Sequence, residues 1–460
     1  MKEQLMEGNE KKIREKTAGF ILKFAVLVWL SAFLINPWMG RLWQKDFINY
    51  KDVFEIYFLS ALVIGLIFVI TSSVILKSKR EIWLNLGISI FIVSVIILLD
   101  RFILLFTGLP VWKYDPDLYF RQRPNVEKTW RYVGIGIVKN QNELFKTNRY
   151  GQHDDDFPLK KESNELRGVM LGDSIACGDG LGIEDTFPQM LEQELNNRDT
   201  KFKKHQIINT GVHGYWTYQE RRVMEESLIF RPDFFALGFA MNDVEEAKIF
   251  DKNYGGPGFD PFRRVFQSRS RFLGYLLNET GFGRLMINYK SRKIWMEKVK
   301  ENIDSIERTA RRLPSDPEME DQWRVTLTEL DKMKLIADKQ GIPLVILIFP
   351  VFEQLGRKDW QNTQKMLIAY AKKRDIDYLD FTPIFEEKIL AGGLSLLDKC
   401  ESDSLTLECR QLAEKYYEYY TDGMHFTPES NRLVAQKLFE YLEKKGLITV
   451  KDDKIRDRRR

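Results

Sequence analysis

The stretch Arg167-Gly168-Val169-Met170-Leu171-Gly172-Asp173-Ser174 runs an apolar strand straight into a serine. Arg167 to Gly172 has strand character, and a helical pattern from Glu184 to Asn197 follows soon after. Outward from this point the alternation continues. Strands are expected at Gln206–Gly211, Asp233–Ala240, Pro343–Phe349 and Asp377–Asp380. Helices are expected at Tyr218–Phe230, Gln322–Gln340, Asn362–Arg374 and Pro428–Lys444. Strands alternating with helices predict a mostly parallel sheet covered on both faces. Ligands of such sheets bind at the carboxyl ends of the strands.

Four short segments carry residues with chemistry. Ser174 closes the first strand; a serine is a poor nucleophile unless a base and nearby N–H donors assist it. Asn209-Thr210-Gly211-Val212-His213-Gly214 ends the second, and a glycine there lets backbone approach a ligand closely. Asn242-Asp243 follows the third and offers a neutral amide donor. Asp422-Gly423-Met424-His425 precedes the last helix, and a carboxylate three residues before a histidine can hold its Nδ1–H. Each segment alone has an everyday reading as a turn, a cap or a surface pair. The weight lies in their joint order, with the first three at the ends of successive strands.

In that order the segments resemble the SGNH (GDSL) hydrolases, whose four blocks supply Ser, Gly, Asn and His. The blocks correspond to Ser174, Gly211, Asn242 and His425, with Asp422 as the aspartate of the last block. The resemblance implies a three-layer α/β/α, flavodoxin-like sandwich. It implies a Ser174–His425–Asp422 triad and an oxyanion hole from the N–H of Ser174, the N–H of Gly211 and the amide of Asn242. It covers roughly residues 145 to 445, including a lead-in Thr147-Asn148-Arg149-Tyr150-Gly151. Two positions depart from the usual pattern: Ala240 stands where relatives carry glycine, and His213 where many carry proline. No Gly-x-Ser-x-Gly elbow points to the other large serine-hydrolase fold. Asp173, His213, Trp216 and Asp243 are the candidates for substrate contact. His213 reads more readily as a loop histidine, and Trp216 with Tyr218 as often as simple packing.

The N-terminal third is of a different kind. Apolar stretches at about 18–35, 53–76 and 82–99 each have the length to cross a bilayer. The segment before the first carries Lys2, Lys11, Lys12, Arg14 and Lys16, and the loop before the third carries Lys77, Lys79 and Arg80. The positive-inside rule puts both in the cytoplasm and everything after about residue 107 outside it, at the cell (inner) membrane. Asp100 and Arg101 read as the outer edge of the third span, with Phe102–Phe106 as an interfacial turn. The expected organisation is an anchor over 1–107, a lead-in over 108–164, a hydrolase domain over 165–447 and a charged tail over 448–460. An insertion over about 244–321 breaks the alternation, rich in arginine and aromatics from Arg263 to Tyr275.

Composition narrows the rest. The 460 residues carry a net charge of only +4, which disfavours a nucleic-acid partner. No Walker loop, zinc-type spacing or complete Gly-x-Gly-x-x-Gly occurs, so neither metal nor organic cofactor is expected. His153 with Asp154, Asp155 and Asp156 reads as a solvated acidic loop, and His205 as a surface residue. Of three cysteines, Cys177 reads as packing, while Cys400 and Cys409 are either a loop staple or two thiols. Three functional readings stand. The first is an esterase on O-acyl, foremost O-acetyl, groups of envelope polysaccharide or lipid. The second is an O-acyltransferase of exopolysaccharide modification, working with a membrane acyltransferase partner. The third is a non-catalytic envelope scaffold.

Overall fold

A computed structural model describes residues 2–39, 51–77, 81–107, 109, 111–115, 117–131, 142–245, 279–285, 317–390, 414–421 and 424–450. Asp422, Gly423, Cys400, Cys409, the Arg263–Tyr275 run and residues 451–460 lie outside them. By compactness the chain divides into two units, Met1–Phe120 with Phe259–Met296, and Arg121–Gly258 with Glu297–Arg460.

The first unit is built on three long helices: α1 (Lys2–Leu34), α2 (Lys51–Lys77) and α3 (Glu81–Thr107). Gly8–Leu34, Val53–Lys77 and Ile82–Phe106 are long and apolar enough to span a membrane. Their shared seam buries small and aromatic side chains such as Ala18, Ala25, Ala61 and Phe68. Their outer faces show Leu27, Phe33, Val63, Ile92 and Ile96. Small residues let helices approach closely where water supplies no drive for association. Polar side chains bridge the seam: Ser72 Oγ donates to Ala18 O at 2.9 Å, and Ser31 and Tyr57 hydroxyls share a 3.0 Å bond.

The third helix runs past the expected outer edge. Phe102–Phe106 are helical, not an interfacial turn. The apolar run simply resumes after Asp100-Arg101, because both charges are satisfied. Asp100 is buried and its Oδ1 accepts the Phe282 N–H at 2.9 Å; Arg101 Nη1 donates to Glu279 O at 3.3 Å. Of the described residues of the expected insertion, 279–285 belong to the helical unit, while 244–245 and 317–321 belong to the second.

Before the second unit's sheet come short strands β1 (Trp112–Asp115), β2 (Tyr119–Gln122), β3 (Glu127–Arg131) and β4 (Asn142–Lys146). The last two pair antiparallel. The main sheet has five strands: β5 (Glu165–Leu171), β6 (Lys204–Asn209), β7 (Phe234–Phe239), β8 (Leu344–Ile348) and β9 (Asp377–Asp380). Their order is β6-β5-β7-β8-β9 and all pairings are parallel. This is the flavodoxin-like order, with the switch point beside β5.

Side chains alternate across the sheet with period two. Met170, Ala236, Val345 and Leu347 join one core; Val169, Leu171, Leu237, Ile346 and Ile348 join the other. The first core is covered by α5 (Phe187–Asn196), α10 (Thr382–Leu390) and α11 (Pro428–Lys444). The second is covered by α6 (Thr217–Ser227), α8 (Pro317–Gln340) and α9 (Asn362–Arg374). Three layers result. The short helices α4 (Ser174–Cys177) and α7 (Asn242–Glu245) follow β5 and β7 directly.

A buried ion pair, Arg167 with Glu165, sits at the start of β5. Arg167 is fully buried at the start of β5. Its guanidinium donates to Glu165 Oε1 at 2.7 Å and to the carbonyls of Pro158, Leu159, Lys160 and Phe230. A buried charge is tolerable only with this degree of satisfaction. Here it fastens the lead-in segment to the strand that carries the serine.

Candidate active site

The carboxyl ends of β5, β6 and β7 converge on Ser174. Gly172 leaves β5 with φ +147°, and a Cβ there would lie 2.7 Å from Ala176 Cβ. Asp173 then caps α4, its Oδ1 accepting the Ile175 N–H at 2.9 Å. Gly178 ends that one-turn helix in the left-handed region at φ +80°. Ser174 is therefore set on a sharp strand-to-helix turn, almost wholly buried.

His425 Nε2 stands 2.8 Å from Ser174 Oγ. It is placed by its flanks. Thr421 N–H donates to His425 O at 2.8 Å, Phe426 is buried in the first core, and Thr427 caps α11. Asp422, expected to orient the ring, lies outside the described residues.

The second block is packed onto the nucleophile turn. A Cβ on Gly211 would fall 2.4 Å from Cys177 N and 2.7 Å from Ala176 C. Only glycine allows this approach. The Gly211 N–H donates to Asn209 Oδ1 at 3.0 Å, and Asn209 Nδ2 reaches Cys177 O at 3.4 Å. Asn242 Nδ2 donates to Asp173 Oδ2 at 2.7 Å. Its Oδ1 is buried without a partner among the described residues. Burial pushes the Asp173 carboxyl up, against the pull of Asn242 and the Ile175 N–H. Asp243 is buried, its Oδ2 accepting the Ala240 N–H at 2.8 Å. Trp216 is buried and stacks on Tyr218, ring centroids 5.7 Å apart. So of the candidates for substrate contact, Asp173, Trp216 and Asp243 are buried, and His213 is exposed on its side chain by 43%.

Two expectations are overturned by burial. His205 is not a surface residue: it is buried, and its Nε2 bonds Thr200 Oγ1 at 2.7 Å. Burial pushes its imidazole down to about 4. Nor is the His153–Asp156 run solvated throughout. His153 is buried, its two ring nitrogens bonded to Lys146 O and Leu181 O. Asp154 is buried, accepting from Asn209 N–H and from Gln189 Nε2. Asp155 and Asp156 face solvent, and Asp156 pairs with Arg149. The acidic run works as a brace that holds the end of β6.

A further residue, Asp179, enters the site from the turn after α4. Its Oδ2 lies 2.5 Å from His213 Nδ1 and 3.9 Å from His425 Nε2. Burial opposes its charge, but the charge and hydrogen bond of His213 hold its carboxyl below the usual range. The same bond raises His213 above an ordinary histidine, although burial works against it. Gly178-Asp179-Gly180 reads as a loop in sequence, and nothing local marks the aspartate as a site residue. Asp179, His213 and His425 each place a ligand atom within 4.8 Å of the others. Two ligands of one tetrahedral zinc, each about 2.0–2.2 Å from it, would stand about 3.3 Å apart or more. The 2.5 Å contact between Asp179 and His213 is a proton-bridged bond instead.

A serine at the exit of the first strand of a parallel sheet, bonded to a histidine before the last helix, defines an ester-hydrolysing serine hydrolase of the α/β/α type. The family model of the GDSL-like Lipase/Acylhydrolase matches residues 169–438, more than half of the chain, and the chain belongs to that family. No curated protein sequence matches it. Among solved structures it is similar to a catalytic mutant of an acetylxylan esterase from Geobacillus stearothermophilus, at 11% identity and TM-score 0.34, over 62% of this chain and 95% of that one. It is also similar to the lipase/acylhydrolase from Enterococcus faecalis, at 11% identity and TM-score 0.32, over 62% of this chain and 99% of that one.

Proposed function

We propose that this protein is a membrane-anchored esterase that removes O-acyl groups, foremost O-acetyl, from polysaccharide or lipid of the cell envelope. The observation that carries the reading is the 2.8 Å contact between His425 Nε2 and Ser174 Oγ at the carboxyl end of β5. His425 takes the Ser174 proton as Oγ attacks the ester carbonyl, and Asp422 steadies the imidazolium. The Ser174 N–H and the Asn242 amide receive the oxyanion. One amide hydrogen of Asn242 is held by Asp173, which aims the other. The Gly211 N–H joins by sharing the bond it makes to Asn209 Oδ1. His425 returns its proton to the departing alcohol, leaving an acyl-enzyme that water then hydrolyses by the same steps in reverse.

The envelope part of this reading rests on topology, and the acyl part on the GDSL-like acylhydrolase family. The basic residues before the first span, and those between the second and third, support a catalytic unit outside the cytoplasm. Purified full-length protein in detergent is expected to hydrolyse p-nitrophenyl acetate and to release acetate from an O-acetylated polysaccharide. Its kcat/KM should fall as the acyl chain lengthens from acetyl to octanoyl. A preference for octanoyl over acetyl would contradict the O-acetyl assignment.

A further inference from the structure

Residues 279–285, in the helical unit, are arranged inside out for water. Residues 281–285 are helical. The inner face of the segment holds its polar side chains: Thr280 and Arg284 are exposed by only 9% and 7%, and Gly281 and Gly283 are buried with them. The outer face shows Phe282 and Leu285, exposed by 45% and 53%. Positions three apart share a helix face, so the two side chains make one apolar patch. A segment folded in water buries its phenylalanine and leucine and leaves its arginine outside. Lipid selects the reverse, because there a charge turns inward to protein and an apolar side chain faces outward.

The segment is seated on α3. A Cβ on Gly281 would fall 2.1 Å from Asp100 O and 2.9 Å from Ile103 Cβ. Close approach through small residues is the packing mode of helices in a bilayer. The backbone of the segment is answered as well. Asp100 Oδ1 accepts the Phe282 N–H, Glu279 O accepts from Arg101, and Thr280 Oγ1 accepts the Gly283 N–H at 3.0 Å. Non-helical backbone at membrane depth requires such partners, since hydrocarbon offers none. The depth follows from α3. From Ile82, where the apolar span begins, to Asp100 is about 27 Å of helix, against a hydrocarbon core about 30 Å thick. Asp100, and the segment it holds, therefore sit near one boundary of the core. Leu99 and Phe106 of the same helix are exposed by 49% and 72%, and Phe282 and Leu285 belong to the same apolar exterior.

We propose that residues 279–285 form a second membrane attachment, seated on α3 at the edge of the hydrocarbon core, with Phe282 and Leu285 among lipid acyl chains. α7 before the segment and α8 after it both belong to the hydrolase unit, so the catalytic chain returns to the bilayer in mid-course. The inference rests on the membrane reading of the three long helices and adds a contact that their spans do not supply.

The test is photocrosslinking of the full-length protein in phosphatidylcholine vesicles. Leu99, Ile229, Phe282 and Leu285 are replaced one at a time by p-benzoylphenylalanine, which inserts into nearby aliphatic C–H bonds on illumination. All four side chains are exposed, so the larger ring needs no repacking. Leu99 reports a span, and Ile229, on the second unit, reports an apolar side chain in water. Mass spectrometry should find phosphatidylcholine adducts at positions 282 and 285 in yields comparable to position 99, and none at position 229. Yields at 282 and 285 no higher than at 229, with position 99 labelled, overturn the proposal and leave the spans standing. Crosslinks from 282 and 285 to another part of this chain or to a second copy, in place of lipid, overturn it too, because protein then covers the patch. Absence of lipid adducts at position 99 as well overturns both the proposal and the membrane reading.

Discussion

Replacing Ser174 or His425 by alanine should lower kcat for p-nitrophenyl acetate by about 10⁴- to 10⁶-fold, and replacing both should cost little more than either alone. The expectation follows from the 2.8 Å contact. A serine hydroxyl attacks only as its proton leaves, and His425 Nε2 is the acceptor in reach. Removing the base leaves an unactivated alcohol; removing the serine leaves a base with nothing to activate. The residual rate is what substrate binding and the oxyanion donors supply alone. Single-turnover and steady-state kinetics on the three variants check this. If the losses add, the two residues act separately and the pairing is not the catalytic one. Melting temperatures should stay near the wild type, since Oγ and the imidazole serve the site and the cores are elsewhere.

Gly211→Ala should lower kcat by about 10²-fold and cost about 1–3 kcal/mol of stability. The added methyl would sit 2.4 Å from Cys177 N and 2.7 Å from Ala176 C. Both are backbone atoms, so no side chain can turn aside. Either the loop after β6 lifts or α4 shifts, and α4 carries Ser174. A displacement approaching 1 Å breaks the alignment of Oγ with His425. The Gly211 N–H also loses its place beside Asn209. Kinetics and thermal melts separate the two parts. A variant with wild-type stability and wild-type kcat would show that the two loops are not in contact as described.

The sequence carried the sheet because its evidence is local. The near-continuous apolar runs of Val169–Leu171 and Leu344–Ile348 are the mark of strands buried on both faces. Ser174, Gly211 and Asn242 were legible for the same reason: each follows a strand directly. What sequence did not carry is tertiary. Asp154 looks like one of three solvated acids until Asn209 and Gln189 are seen to bond it. His205 looks exposed until Asn196 and Thr200 close over it. Asp179 sits between two glycines, and its partner His213 is 34 residues away. The end of α3 is not legible in the sequence because the charges at Asp100 and Arg101 are answered from a distant segment, Glu279 to Phe282.

The most direct test of the central claim is to find where an active-site phosphonate attaches. Full-length protein treated with an alkyl fluorophosphonate, digested and mapped by mass spectrometry, should carry one adduct, on Ser174, and His425→Ala should form it far more slowly. An adduct on any other residue, or undiminished labelling in Ser174→Ala, would contradict the account.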